Sequence, residues 1–246
     1  MKTNLLTLLS SPQRKVANAL GRLFPTDDAI KRMARWHHGK LKRVALADFL
    51  DKDLVNRVVI LHPLDRKFGT SVDLYELVCI CALARQIQPK VAFEVGTFDG
   101  NTAVNIAANT PDNCKVLTLD LPEEWNKSWE ISIPDSYNNV SDRTAVGRQI
   151  KGSGLGHRVE QIFGDSASFD WNRLPQPLNF VFIDGNHYYD YVKKDTENAL
   201  RHVASGGCIV WHDYGAFVDV SRVVDEASST VNITAVQGTR LAVAMI

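Results

Sequence analysis

The 246-residue sequence has only four cysteines, Cys79, Cys81, Cys114 and Cys208, and no two of them form a CxxC pair. Cys79 and Cys208 sit in apolar runs, so the four read as reduced core residues of an intracellular, cytoplasmic protein. No apolar run approaches eighteen residues, which excludes a transmembrane helix. The formal net charge is zero, and no basic stripe with interleaved aromatics occurs. Both absences argue against a nucleic-acid partner. Internal repeats and low-complexity tracts are missing as well. The start, MKTNLLTLLSSPQRKVANALGRLF, lacks the long apolar centre of a secretory signal and reads instead as a basic amphipathic helix.

Charge is unevenly spread. Ten basic residues face three acidic ones in the first fifty, a balance of +7, so the remainder carries −7. Residues 1–70 read as a helical N-terminal appendage. Pro25-Thr26-Asp27-Asp28 looks like a helix start, and VALADFLDKDLVNRVVI holds further short amphipathic pieces. Such helices would pack on the acidic domain in cis or across a homo-oligomer, with a peripheral membrane contact as the alternative.

Residues 71–246 read as one α/β domain. TSVDLYELVCICALARQIQPK has helical spacing and closes on a proline. Then VAFEVG, CKVLTLDL, HRVEQIFGD, LNFVFIDG and GCIVWHDYG read as strands, with NTAVNIAAN and YDYVKKDTENALRHV as helices between them. Alternation of this kind predicts a Rossmann-like, mostly parallel sheet covered on both faces. VNITAVQ and RLAVAMI, joined by a Gly-Thr turn, can pair only as an antiparallel C-terminal hairpin, giving seven strands. Between Leu121 and Gly147 lies a long connection rich in Trp, Pro, Asn and Ser, the mark of a lid or binding loop. Its Trp125, Trp129 and Tyr137 are candidate substrate contacts.

FEVGTFDGNTA, residues 93–103, has no GxGxxG. Phe98 and Asp99 stand where a dinucleotide's phosphates would pack, and Glu94 and Asp99 would repel them. Gly96 ends a strand and Gly100 precedes a helix, so the backbone can bend tightly and let a ligand approach. Asp120, closing the next strand in LTLDLP, can accept hydrogen bonds from ribose hydroxyls. An adenosine-like ligand with a cationic end, S-adenosylmethionine, satisfies these features better than a nicotinamide dinucleotide.

FEVGTFDGNTA, LTLDLP, FGDSASFD, VFIDGNHYYDYVKKDTENAL, GGCIVWHDYG and GTRLAVAMI resemble successive motifs of the class I S-adenosylmethionine-dependent methyltransferases. More narrowly, they resemble the branch of small O-methyltransferases and macrocin-type sugar O-methyltransferases. The resemblance implies that Glu94, Gly96, Thr97 and Gly100 line the methionine moiety, that Asp120 holds the ribose, and that Asp165 and Ser166 lie near the adenine. It implies that Asp184 faces the reacting centre.

A second constellation comprises Asp184, His187, His212 and Asp213, from FIDGNHYYD and VWHDYG. Methyl transfer to oxygen needs alignment, exclusion of water and help in removing the hydroxyl proton. A divalent ion, Mg or Mn, on Asp184, His212 and Asp213 could lower the hydroxyl's pKa, or His187 could act as general base. The two devices can coexist. In the resembling catechol-type members an Asn follows the second acid, whereas here Tyr214 follows it and His212 precedes it. His212 and Asp213 can share a metal only if the strand has already ended. The expected function is O-methylation of a hydroxylated small molecule, of sugar or natural-product type. A nicotinamide-dependent oxidoreductase or epimerase, and a non-catalytic cofactor-binding scaffold, are the alternatives.

Overall fold

A computed structural model describes residues 38–51, 53, 56–62, 72–122, 124, 125, 128–137 and 143–246. The helix start at Pro25–Asp28 and the basic amphipathic N-terminus lie outside the described residues. No described helix is long and apolar enough to cross a membrane.

The described chain forms one eight-stranded sheet, ordered β1-β7-β8-β6-β5-β2-β3-β4. The strands are β1 (Arg43–Val44), β2 (Val91–Val95), β3 (Lys115–Asp120), β4 (Val159–Phe163), β5 (Leu178–Ile183), β6 (Val203–Trp211), β7 (Ile233–Val236) and β8 (Ala242–Met245). The helices are α1 (Leu74–Ile87), α2 (Asn101–Ala108), α3 (Arg148–Gly152), α4 (Tyr189–His202) and α5 (Val218–Ala227). Every residue of β2 is buried, because helices cover both faces of a central parallel strand. Alternation along β5 and β6 divides the core. Phe180, Phe182, Cys208 and Val210 pack toward Leu77, Ile80 and Ala84 of α1. Their neighbours Val181, Ile183, Ile209 and Trp211 pack toward Val192 of α4 and Val220 and Val224 of α5.

β8 slots between β6 and β7 and is antiparallel to both, as the hairpin reading requires; the pairings of β2 with β3 and β5 are parallel. The eighth strand, β1, comes from the segment expected to be helical. The exposed edge of β7 leaves backbone groups to be satisfied: the Ala235 N–H reaches the Lys42 carbonyl at 3.0 Å, and the Gln237 N–H the Val44 carbonyl at 2.8 Å. Leu46 and Leu50, just beyond, are buried beneath the sheet's α1 face. α3 and α5 are further elements that the strand-and-helix reading of the sequence does not contain.

The chain crosses from β3 and β4 on one side of β2 to β5 on the other. The strand order therefore reverses at β2 and β5, and a crevice opens beyond their carboxyl ends.

Candidate active site

The crevice is a cleft of about 740 Å³ lined by Gly96, Thr97, Asp120, Asp165, Ser166, Asp184, His187, His212, Asp213 and Arg240, among others. Gly96 has φ +96°, and a Cβ there would stand 2.1 Å from the Asp184 carbonyl oxygen. Only glycine lets β2 and β5 come this close while the chain turns. Thr97 ties its hydroxyl to Thr118 at 2.7 Å. The Asp120 carboxylate accepts the N–H groups of Phe98 and Leu121, each at 2.8 Å. That grip fixes it at the end of β3, and carboxylate oxygens accept more than one hydrogen bond each. Asp165 accepts the Tyr191 hydroxyl at 2.6 Å. Ser166 donates to Asp195 at 3.2 Å, a buried carboxyl raised by desolvation to about 8.

Two of the residues expected to line the methionine end stand elsewhere. Glu94 lies beneath the cleft, 1% exposed, and holds the Thr118 hydroxyl. Desolvation, joined by the charges of Asp184, Asp120 and Asp99, raises its pKa well above the carboxylate range. Buried beneath the cleft, it meets no ligand there, so of the two acids expected to repel phosphates only Asp99 lines the cleft. Its Oε1 has no hydrogen-bond partner among the described residues. Gly100, at φ +84°, caps α2 and faces Ile150 and Gly147, where a Cβ would meet Ile150 Cγ1 at 2.6 Å. Its role is packing beneath the loop.

The lid residues contribute unequally. Trp129 and Tyr137 line the cleft, whereas Trp125 packs edge-on against Trp129 with centroids 4.4 Å apart. The Tyr137 hydroxyl anchors on Asp219 of α5 at 2.8 Å.

At the other end, β6 stops at Trp211, and Asp213 adopts φ +58°. This left-handed residue, a conformation that Asp tolerates better than most, turns the chain so that His212 and Asp213 both face the cleft. Asp213 Oδ2 is 3.0 Å from His187 Nε2, and Oδ1 accepts from Arg240 Nη1 at 2.7 Å. His212 Nδ1 lies 2.9 Å from Asp184 Oδ1, and its Nε2 lies 3.1 Å from Glu76 Oε2. Arg240 forks onto the same glutamate, Nε to Oε1 at 3.0 Å and Nη2 to Oε2 at 2.7 Å. Glu76 and Arg240 are absent from the sequence reading of the site. Asp73 followed by Glu76 signals a capping box, and the Glu76 carboxylate does accept the Asp73 N–H at 3.0 Å; nothing local marks its second task.

These contacts set the protonation states. Burial would lower the His212 pKa, but Asp184 and Asp213 outweigh it and push it well above the usual value. Carboxylates only accept, so two carboxylate neighbours also require both ring nitrogens to donate. Burial likewise lowers the His187 pKa, and the hydrogen bond and charge of Asp213 reverse the direction, leaving it raised. Desolvation opposes ionisation of Asp213, yet His212 and His187 hold its pKa well below the carboxylate range.

Asp184, His212 and Asp213 bring donor atoms within 4.8 Å of one another, as ligands of one cation would be. Their lone pairs, however, are engaged. His212 as an imidazolium has none to give, and Asp213 is held by His187 and by the Arg240 guanidinium. Like charges about 4 Å apart cost about 4 kcal/mol per unit pair near a protein surface, so a divalent ion would have to expel that guanidinium. As arranged, these residues do not fit one.

Fold and cleft define a class I methyltransferase architecture, and comparisons with known proteins agree. Residues 93–214 match the model of a family described as methyltransferase domain. Protein R132 of Acanthamoeba polyphaga mimivirus is 29% identical over 122 residues, 49% of this chain and 50% of its own; the chain thus spans about half the length of that relative. TomG, an O-methyltransferase of Streptomyces achromogenes solved with SAM, superposes with a TM-score of 0.54 at 15% identity, covering 97% of this chain and 99% of its own. A Bacillus cereus O-methyltransferase solved with SAH gives 0.53 at 16%, covering 82% and 95%. Over residues 93–214 the chain matches a methyltransferase domain, on the fold of solved O-methyltransferases that hold SAM or SAH. The nicotinamide alternative is set aside by that match.

Proposed function

We propose that the protein transfers the methyl group of S-adenosylmethionine to a hydroxyl of a small molecule, of sugar or natural-product type, with His187 as general base. The observation that carries this reading is the 3.0 Å contact of His187 Nε2 with Asp213 Oδ2 at the cleft wall. A carboxylate on Nε2–H fixes the tautomer and leaves Nδ1 as the basic nitrogen. Gly96, Thr97, Asp120, Asp165 and Ser166 would hold the donor. S-adenosylmethionine supplies an electrophilic methyl: its C–S bond breaks as the C–O bond forms, and the electron pair stays on sulfur. His187 takes the hydroxyl proton and returns it to solvent. Asp213 stabilises the imidazolium so formed, and Tyr137, packed on Tyr188 beside His187, shields that end from water.

Assistance by Mg or Mn, expected from the sequence at Asp184, His212 and Asp213, is not part of this reading, since those donors are already paired. The four cysteines are free and buried, which supports a reducing compartment, the cytoplasm. Pairing of copies through residues 1–70 is a further part of the proposal, most of it carried by residues outside those described. The deciding experiment is a panel of hydroxylated acceptors assayed for SAH release, alongside His187→Gln. Transfer that is lost in the variant with SAH affinity retained supports the reading; equal turnover by the variant rejects it.

A further inference from the structure

We propose that Arg240 is the resident cation of the acceptor end of this cleft, so that a fixed guanidinium takes the place of a divalent ion and methyl transfer here needs no metal. The inference rests on the methyl-transfer reading above and extends it to the source of positive charge. Three carboxylates, Glu76, Asp184 and Asp213, converge around His212. Three acids at one end of a cleft would draw in a cation, and the chain supplies one of its own.

Arg240 is held through both its backbone and its side chain. Its backbone N–H donates to Glu76 Oε1 at 2.8 Å, and its carbonyl accepts the Tyr214 N–H at 2.9 Å. Three guanidinium N–H groups are used, two on Glu76 and one on Asp213. A guanidinium has five donors, so two carry no partner among the described residues, and the side chain lines the cleft. Arginine keeps its charge at any working pH, and its planar fork matches carboxylates in a way that lysine cannot. The neighbouring residue in the hairpin turn, Thr239, is buried and bonded within the turn, so the guanidinium sits on a rigid base. The two remaining guanidinium N–H groups can donate to an acceptor oxygen and so favour its ionised form, the service otherwise expected of a metal.

Manganese titration followed by electron paramagnetic resonance, with and without SAH, tests this directly. The wild-type protein is expected to show no saturable Mn²⁺ site. Arg240→Ala, which exposes the three carboxylates, is expected to gain one, at least about tenfold tighter than any wild-type binding. Arg240→Lys retains the charge and should resemble wild type. An arginine with a merely structural role would leave Mn²⁺ affinity unchanged in Arg240→Ala, and that result overturns the inference. So does one tight Mn²⁺ per wild-type chain. If Arg240→Ala does not fold, the wild-type and Arg240→Lys titrations decide. SAH calorimetry on the same samples separates the two levels: no SAH binding defeats the methyl-transfer reading, whereas SAH binding with a wild-type Mn²⁺ site defeats only the role of Arg240.

Discussion

Arg240, in the turn between β7 and β8, brackets the carboxylate of Glu76, 164 residues earlier in the first turn of α1, at 3.0 and 2.7 Å. Two ends of the domain are thereby joined behind the reacting centre. Glu76 is 1% exposed. Desolvation opposes its charge, but His212 and Arg240 hold its pKa far below the carboxylate range.

Removing one member of such a pair strands the other in the interior. Glu76→Gln should therefore destabilise the domain by roughly 3–5 kcal/mol, read as a lower urea midpoint with unchanged slope. Because the folded pKa is depressed, the stabilisation is complete above the unfolded value and is lost as pH falls toward the folded one. Wild type should lose stability on acidification below about pH 4, and Glu76→Gln should show a shallower acid limb.

The His187–Asp213 contact predicts a kinetic signature. General bases contribute about 10²- to 10⁴-fold, so His187→Gln should lower kcat by at least about 10²-fold and leave SAH affinity within about twofold. The base acts when deprotonated, and Asp213 raises the His187 pKa above its usual value. The rate should then rise with pH through a limb above about 6.5. Asp213→Asn removes the charge that raises it, so the limb of any residual activity should move to lower pH. An unmoved limb would assign it to another group.

Much of this was legible in the sequence, for physical reasons that differ by residue. Asp120, Asp184 and Asp213 follow apolar runs, and a polar residue ending such a run in a parallel sheet stands at the cleft. Gly96 was legible for the same reason. Glu94 and Gly100 were misplaced because a motif gives spacing and not direction: one side chain points into the core, and the missing side chain of the other makes room for Ile150. α5 escaped notice although Val220, Val223 and Val224 repeat at helical spacing, since Phe217 provides no side-chain cap. The Glu76–Arg240 pair has no local signal, since only the closed sheet brings a helix start beside a hairpin turn.

Two glycines should respond oppositely to alanine. At Gly96, φ +96° and a Cβ 2.1 Å from the Asp184 carbonyl leave no room. Gly96→Ala should force β2 and β5 apart and abolish SAH binding by calorimetry, even where circular dichroism stays helical. Gly152 meets nothing within 4 Å of an added Cβ and has no positive φ. Gly152→Ala should be neutral or stabilise by up to about 1 kcal/mol, with SAH affinity unchanged. Equal effects at the two positions would contradict the assignment of Gly96 to the cleft.

Asp195 predicts the pH dependence of stability near neutrality. Desolvation raises its carboxyl to about 8, with Asp165 adding to the rise and the Ser166 hydroxyl opposing it. The unfolded chain releases this proton near pH 4, whereas the folded protein keeps it to about 8. Between those values the folded state binds the extra proton, so stability must fall as pH rises, by about 1.4 kcal/mol per unit for one proton, and level off above. Glu94, also raised, acts in the same direction. Asp195→Asn carries no titrating proton. Urea unfolding at pH 5.5 and 7.5 should therefore show a slope smaller by about one proton in Asp195→Asn than in wild type, with the variant gaining on wild type as pH rises. Identical slopes in the two proteins would mean that Asp195 is ionised in the folded state and that Ser166 stabilises its charge.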